Sequence, residues 1–104
     1  MLVATAAVAQ ERVTFSEFEA ATQAAATRSG ECRREVVRGP GERCERFWDY
    51  MDNRYEPLTI AFSELMEEEG IKAFEGASNV RLQMHRNRQS DITTNLNYIT
   101  EMMQ

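Results

Sequence analysis

The sequence predicts an all-α protein, an antiparallel helical hairpin or three-helix bundle with coiled-coil-like heptad seams. Apolar residues recur in steps of three and four through most of the 104 residues, as on one face of a helix. The period-two alternation of a half-buried strand is absent. Glycine interrupts the helical pattern at Arg38–Gly41 and at Glu69–Gly70, which divides it into three helices.

The first helix is expected from Thr14 to about Arg38. Thr14 and Glu17 have the spacing of a capping box, in which each side chain accepts from the other residue's backbone N–H. Val13 can pack on Phe18 as a hydrophobic staple. The small, partly polar seam consists of Phe15, Phe18, Thr22, Ala25, Ser29, Cys32 and Val36. Gly39 can adopt a left-handed cap, so the helix should end in the Arg38–Gly41 turn.

The second helix is expected to begin near Gly41 and to carry the strongest apolar stripe of the chain. That stripe is Trp48, Met51, Tyr55, Leu58, Phe62 and Leu65. Pro57 lies within it, and proline removes an amide donor and crowds the preceding turn. Because the stripe keeps its phase across Pro57, the sequence predicts a kink near this residue instead of a second hairpin. Residues 71–74 should form a short apolar turn that covers one end of the core.

The third helix should start at Ser78 or Asn79, since either residue is a good N-cap. Its seam positions are Leu82, His85, Gln89, Ile92, Leu96, Ile99 and Met103. The C-terminal half of this seam is apolar throughout, whereas His85 and Gln89 make the N-terminal half polar.

The first ten residues are uncharged and end in an Ala7–Ala9 motif of the kind that precedes signal-peptidase cleavage. Residues 1–9 are therefore interpreted as a signal-peptide remnant, or else as a disordered tail, and residues 10–104 as a single helical domain. The signal interpretation predicts a periplasmic or secreted protein; the alternative is a cytoplasmic one.

The two cysteines lie on either side of the Arg38–Gly41 turn. Cys32 and Cys44 fall at similar heights on two antiparallel helices, and both are in phase with the apolar seams. A structural disulfide is expected if the chain is exported, with a contribution of roughly 3 kcal/mol from loop closure. In the cytosol the same pair would be two small core residues with free thiols.

Charge gives little indication of a partner. The net charge of −5 does not favour nucleic acid or an anionic membrane, and no later stretch is long and apolar enough to span a bilayer. Acidic residues cluster at residues 64–69 and basic residues at residues 81–88. These runs are either docking patches or solvated helix faces that pair with each other.

The sequence predicts neither an enzyme nor a metal or cofactor site. His85 is the only histidine, no nucleophile elbow or glycine-rich phosphate loop occurs, and the cysteines have no C-x-x-C spacing. A haem held between His85 and a methionine is conceivable in a helical bundle, but methionine is more often a core residue.

We therefore expect an exported helical protein that acts by protein–protein binding or self-association, as an accessory or structural subunit of an envelope assembly. The candidate interface residues are Trp48, Tyr55 and Phe62 on the second helix, and Ile92, Leu96, Ile99 and Met103 on the third. One alternative is a cytosolic chaperone or assembly subunit with free thiols. The other is a small-ligand or haem-binding bundle.

Overall fold

The computed structural model describes residues 12–104 and confirms the all-α class. Four α-helices follow one another: α1 (Phe15–Val36), α2 (Glu42–Tyr50), α3 (Glu56–Glu69) and α4 (Asn79–Met102). A π-helical segment, Met51–Tyr55, joins α2 to α3 without a loop, and a 3₁₀ helix, Gly70–Phe74, follows α3. The predicted signal segment, residues 1–9, lies outside the described residues.

Helix α1 is the central element, and both of its long neighbours pack on it. The α2–α3 arm runs antiparallel to α1, since Cys44 lies beside Cys32 and the Tyr55 hydroxyl lies 3.3 Å from that of Thr22. Helix α4 runs parallel to α1, because Arg81 binds Glu19 near one end and Asn95 donates to the Ser29 hydroxyl at 2.9 Å towards the other. The helices thus form the up-down-up arrangement of a three-helix bundle.

The sequence predicted the buried face of α1 correctly. All seven predicted seam positions are buried, and Ala21 joins them. The capping box is present, with the Glu17 N–H donating to the Thr14 hydroxyl and the Thr14 N–H donating to the Glu17 carboxylate, both at 3.1 Å. The helix ends at Val36, two residues before the expected Arg38, and Gly39 adopts a φ of 109° in the turn.

The expected kink near Pro57 takes the form of the π-helical segment Met51–Tyr55. Here the Glu56 N–H donates to the carbonyl of Met51, five residues back, which is one residue more than in an α-helix. Pro57 is then the second residue of α3, where its missing N–H and its ring are tolerated.

The additional residue in the π turn shifts the register of α2 relative to α3. Phe47 is completely buried, whereas the predicted stripe residue Trp48 is only half-buried. The observed inward positions are Cys44, Phe47, Met51, Tyr55, Leu58, Phe62 and Leu65. Two consecutive steps of four, from Phe47 through Met51 to Tyr55, span the π segment. The assignment of Trp48 to the buried stripe therefore needs correction, and Phe47 takes its place in the core.

The core has two parts. One lies around the disulfide and contains Cys32, Val36, Cys44, Phe47 and Ile99. The other lies at the opposite end of α1 and is aromatic, with Phe18 and Phe62 stacked at a centroid distance of 4.9 Å. Phe74 packs edge-on against Phe62 at 5.3 Å, so the 3₁₀ helix covers this end of the core in part. Ile71 does not contribute, because 86% of its surface is exposed.

Candidate functional site

The structure places most of the predicted interface residues inside the bundle. Tyr55, Phe62, Ile92 and Ile99 are buried, because they pack against the chain's own helices. Trp48 and Leu96 are half-buried beside the disulfide-end core. Met103 alone among the seven candidates is exposed, at 49%. In the folded chain these residues therefore act mainly as core.

The predicted cysteine pair is in disulfide position. Cys32 and Cys44 are both buried, and their Cα atoms lie 4.3 Å apart. No free cysteine is present in the part of the chain that the structure describes. The bridge fastens the C-terminal part of α1 to the start of α2 and holds the intervening turn.

Glu35 supports the same junction in a way that the sequence analysis missed. Helix α2 has no side-chain cap from its own N-cap residue, Gly41. Instead, the Glu35 carboxylate accepts the backbone N–H groups of Gly41 at 2.7 Å, Cys44 at 3.0 Å and Arg43 at 3.1 Å. These bonds, first of all the one from Cys44, hold the pKa of Glu35 below its usual value. The carboxylate also lies at the positive end of the α2 dipole.

An apolar groove with a volume of about 580 Å³ separates α3 from α4. The two helices make few backbone contacts with each other at this end of the molecule. The groove is lined by Phe18 of α1, Phe62 and Met66 of α3, Gly70, Ile71 and Phe74 of the 3₁₀ helix, and Leu82, His85, Arg86 and Gln89 of α4. We refer to it as the α3–α4 groove.

The edge of the α3–α4 groove presents apolar side chains to solvent. Ile71 is 86% exposed and Met66 is 37% exposed, although both adjoin the aromatic floor formed by Phe18, Phe62 and Phe74. Gly70 ends α3 with a φ of 62°, a left-handed conformation that turns the chain into the 3₁₀ helix. Large exposed apolar side chains beside an apolar groove are typical of a binding surface.

His85 belongs to the floor of this groove and not to a polar seam. Its ring packs edge-on against Phe15 and Phe18, each at a centroid distance of 5.1 Å, and only 4% of the residue is exposed. Nδ1 is buried and has no hydrogen-bond partner among the described residues. Burial lowers the pKa of His85, while Glu19 opposes this shift and Arg88 adds to it. The expectation that His85 lies in a polar part of the seam is thus corrected: its neighbours are phenylalanine rings of α1.

One interpretation of the sequence expected the acidic run, residues 64–69, to pair with the basic run, residues 81–88. The ion pairs in the described residues connect both runs to other parts of the chain instead. Glu68 and Glu69 at the end of α3 both contact Arg12, which precedes α1. Arg81 of α4 makes a bidentate ion pair with Glu19 of α1, at 2.6 and 3.1 Å. This ion pair lowers the pKa of Glu19. Glu68, Glu69 and Arg81 thus contact residues in the N-terminal part of the fold and not each other.

The described residues contain no cluster of three or more histidine, cysteine or acidic side chains that could hold a metal ion. Within residues 12–104, no helix has both the length and the apolar character needed to cross a membrane. Comparison with known protein families, with curated proteins and with solved structures finds no match to this chain.

Proposed function

We propose that this chain is an exported helical protein that acts by binding another protein, and that the α3–α4 groove is its contact surface. The observation that carries the proposal is the exposure of Ile71 and Met66 beside an aromatic floor. A groove between two helices can accept apolar side chains of a partner helix without rearrangement of the backbone.

Burial of apolar surface supplies the driving force for such an interface. Transfer of apolar surface out of water contributes about 25 cal/mol per Å². Ile71 exposes 86% of its surface and Met66 exposes 37%, and a partner could bury this exposed area. Arg86 and Gln89 at the edge provide polar groups that can orient that partner. The proposed action is binding and not catalysis, so no reaction is assigned to His85.

Export is the second part of the proposal. It is supported by the Cys32–Cys44 pair, because disulfides form and persist in oxidising compartments, and by the small-residue motif that ends the first nine residues. N-terminal sequencing and thiol alkylation of protein from its native compartment test it together. A start near Gln10 and blocked cysteines are expected, whereas a retained Met1 with two free thiols would favour the cytosolic assembly-subunit alternative.

Site-specific photo-crosslinking tests the contact surface. A photoreactive amino acid replaces Ile71 in one variant and, as the control, Val37 in another. Val37 is 53% exposed but lies at the opposite end of α1, beside the turn. Crosslinking in the native compartment should give an adduct from position 71 and none from position 37, with the crosslinked peptide identified by mass spectrometry. Equal labelling from both positions, or none from position 71, would refute the groove as the contact surface.

A further inference from the structure

We propose that the partner segment that occupies the α3–α4 groove is an amphipathic helix of about two turns that places a carboxylate beside Arg86. This inference rests on the proposed function, because it names the chemistry of the partner that the same surface binds. Three features of the groove carry it: the length of its sides, the apolar floor and the guanidinium on one edge.

The groove has the length of a short helical segment. Its α3 side is lined from Phe62 to Gly70 and its α4 side from Leu82 to Gln89. Each side therefore extends over about two helical turns, or roughly 11 Å at the rise of an α-helix. A partner helix that lies along the groove would contact both sides over this length, with apolar side chains at positions i, i+3 or i+4, and i+7.

The two sides favour a helical partner over an extended one. The described residues form no strand, and the backbone groups of α3 and α4 are used within each helix. An extended partner would therefore find no sheet edge, and its own N–H and C=O groups would lie unpaired against apolar side chains. A helix satisfies its backbone internally and presents only side chains. It would lie between α3 and α4 as the fourth helix of a bundle.

The floor of the groove requires an apolar partner face. It consists of the rings of Phe18, Phe62 and Phe74, and Ile71 lies exposed at its edge. His85 adds no charge to this floor at neutral pH, because burial lowers its pKa and the neutral ring predominates. Leucine-like side chains on one face of the partner would cover this surface and supply the affinity.

Arg86 gives the α4 edge of the groove a positive charge. It lines the groove and is exposed. Among residues 12–104 it forms no ion pair within 4.0 Å. Its own helix offers no acid one turn away, where the residues are Leu82, Gln83, Gln89 and Ser90. A partner carboxylate at this edge would accept hydrogen bonds from the guanidinium, with the Gln89 amide beside it as a further donor.

The acidic residues of α3 lie outside this site. Glu68 and Glu69 both contact Arg12, and among the described residues no glutamate lines the groove. The charge that the groove itself presents is therefore positive and lies on the α4 edge. An acidic amphipathic helix complements that charge, whereas a basic one would place a second cation beside Arg86.

Fluorescence anisotropy with three synthetic peptides tests the proposal on the purified, oxidised full chain. The peptides are capped, alanine- and glutamine-rich helices of about 18 residues with one leucine stripe. They differ only at the two positions that flank the stripe, which hold Glu, Gln or Lys, so that either direction of the peptide brings one flank to Arg86. The Glu peptide should bind about fivefold more tightly than the Gln peptide, and the Lys peptide should bind most weakly.

Substitutions of Arg86 assign this preference to one side chain. Arg86→Gln should abolish the preference for Glu over Gln, and Arg86→Glu should make the Lys peptide the tightest binder, a reversal that loss of structure would not give. Arg38→Gln and Arg38→Glu, at an exposed position of the turn, are the matched controls and should leave the order unchanged. Ile71→Ser should weaken all three peptides by about tenfold or more, whereas Val37→Ser should not. Circular dichroism verifies that each variant is folded.

Equal affinity of the wild-type chain for the Glu and Gln peptides overturns the inference, as does a preference that persists in Arg86→Gln. Failure of every peptide to bind at about 1 mM overturns it too. Crosslinks from position 71 in the native compartment judge the proposed function separately. An adduct to a basic or extended segment of an identified protein, or to a second copy of this chain, keeps the groove as a contact surface and overturns the acidic helix. If position 71 crosslinks to nothing, both fail.

Discussion

Substitution of two adjacent aromatic residues tests the register that the π segment imposes on α2. Phe47 is completely buried among Cys32, Val36, Cys44 and Ile99, whereas Trp48 is half-buried. Phe47→Ala leaves a cavity in a well-packed core and should cost about 3–5 kcal/mol in the free energy of unfolding. In a domain of this size that loss corresponds to a fall in melting temperature of about 15–25 °C.

Trp48→Ala is the matched comparison. It removes a larger side chain, but one that is already partly hydrated, and it forfeits the ring contact with Phe47 at a centroid distance of 5.0 Å. Its expected cost is about 1–2 kcal/mol, from the fraction of its apolar surface that is buried. A straight helix with the 3-4-3-4 stripe of the sequence predicts the reverse order.

Thermal and urea unfolding followed by circular dichroism measure both costs. Because the total stability of a small domain is only about 5–15 kcal/mol, Phe47→Ala can leave the chain largely unfolded. Phe47→Leu, with an expected cost of about 1–1.5 kcal/mol, keeps the comparison measurable in that case. A Trp48→Ala variant as destabilised as Phe47→Ala would refute the register and, with it, the role assigned to the π segment.

Three further predictions concern the disulfide, the buried histidine and the α2 cap. The Cys32–Cys44 disulfide closes a loop with a sequence separation of 12. Its reduction should decrease the free energy of unfolding by about 3 kcal/mol and the melting temperature by about 15 °C. Equal melting temperatures with and without reductant would contradict this. Burial lowers the pKa of His85, so around and below the unfolded pKa of about 6.5 the unfolded chain binds more protons than the folded chain. The free energy of unfolding should therefore decrease as the pH is lowered from 7.5 to 5.5, by at most about 1.4 kcal/mol per pH unit. His85→Phe should remove that slope, and parallel pH profiles of variant and wild type would show that the reasoning is wrong. Glu35→Gln should lower the melting temperature, since an amide accepts the three N–H groups less strongly than a carboxylate. Glu64→Gln, at an exposed position in the interior of α3, should not lower it.

The sequence predicted those parts of the fold that depend on local geometry. The capping box at Thr14, the seam of α1 and the N-cap at Ser78 are set by residues within one or two turns of each other, and all three are present. The cysteine pair was predictable for a similar reason, because a short turn between two helices brings nearby residues to the same height.

The register of α2 was not predictable from the apolar stripe alone. Both Phe47 and Trp48 fit a helical period when α2 is read by itself, and only the π segment decides between them. The sequence signal for the π segment is the pair of four-residue steps from Phe47 to Met51 and from Met51 to Tyr55. Together they are longer than two turns of an α-helix, which span about 7.2 residues. Pro57 shortly afterwards marks where the backbone absorbs the difference.

The environment of His85 and the α3–α4 groove depend on how the helices diverge, which no local pattern encodes. The spacing of His85 placed it correctly on the buried side of α4. It did not reveal that the facing residues are Phe15 and Phe18, because the relative height of two helices is fixed only when the whole bundle packs.

A gradient of side-chain size along α1 accounts for the position of the groove. Towards its C-terminal end the seam is small, with Ala25, Ser29 and Cys32, and helices with small contact residues approach most closely. At the N-terminal end the seam carries Phe15 and Phe18, so the neighbouring helices must stand further from the axis of α1. Helices α3 and α4 therefore diverge at the aromatic end, and the space between them leaves Ile71 exposed and Met66 partly exposed. The residues that build the aromatic core thus also create the surface that we propose for partner binding.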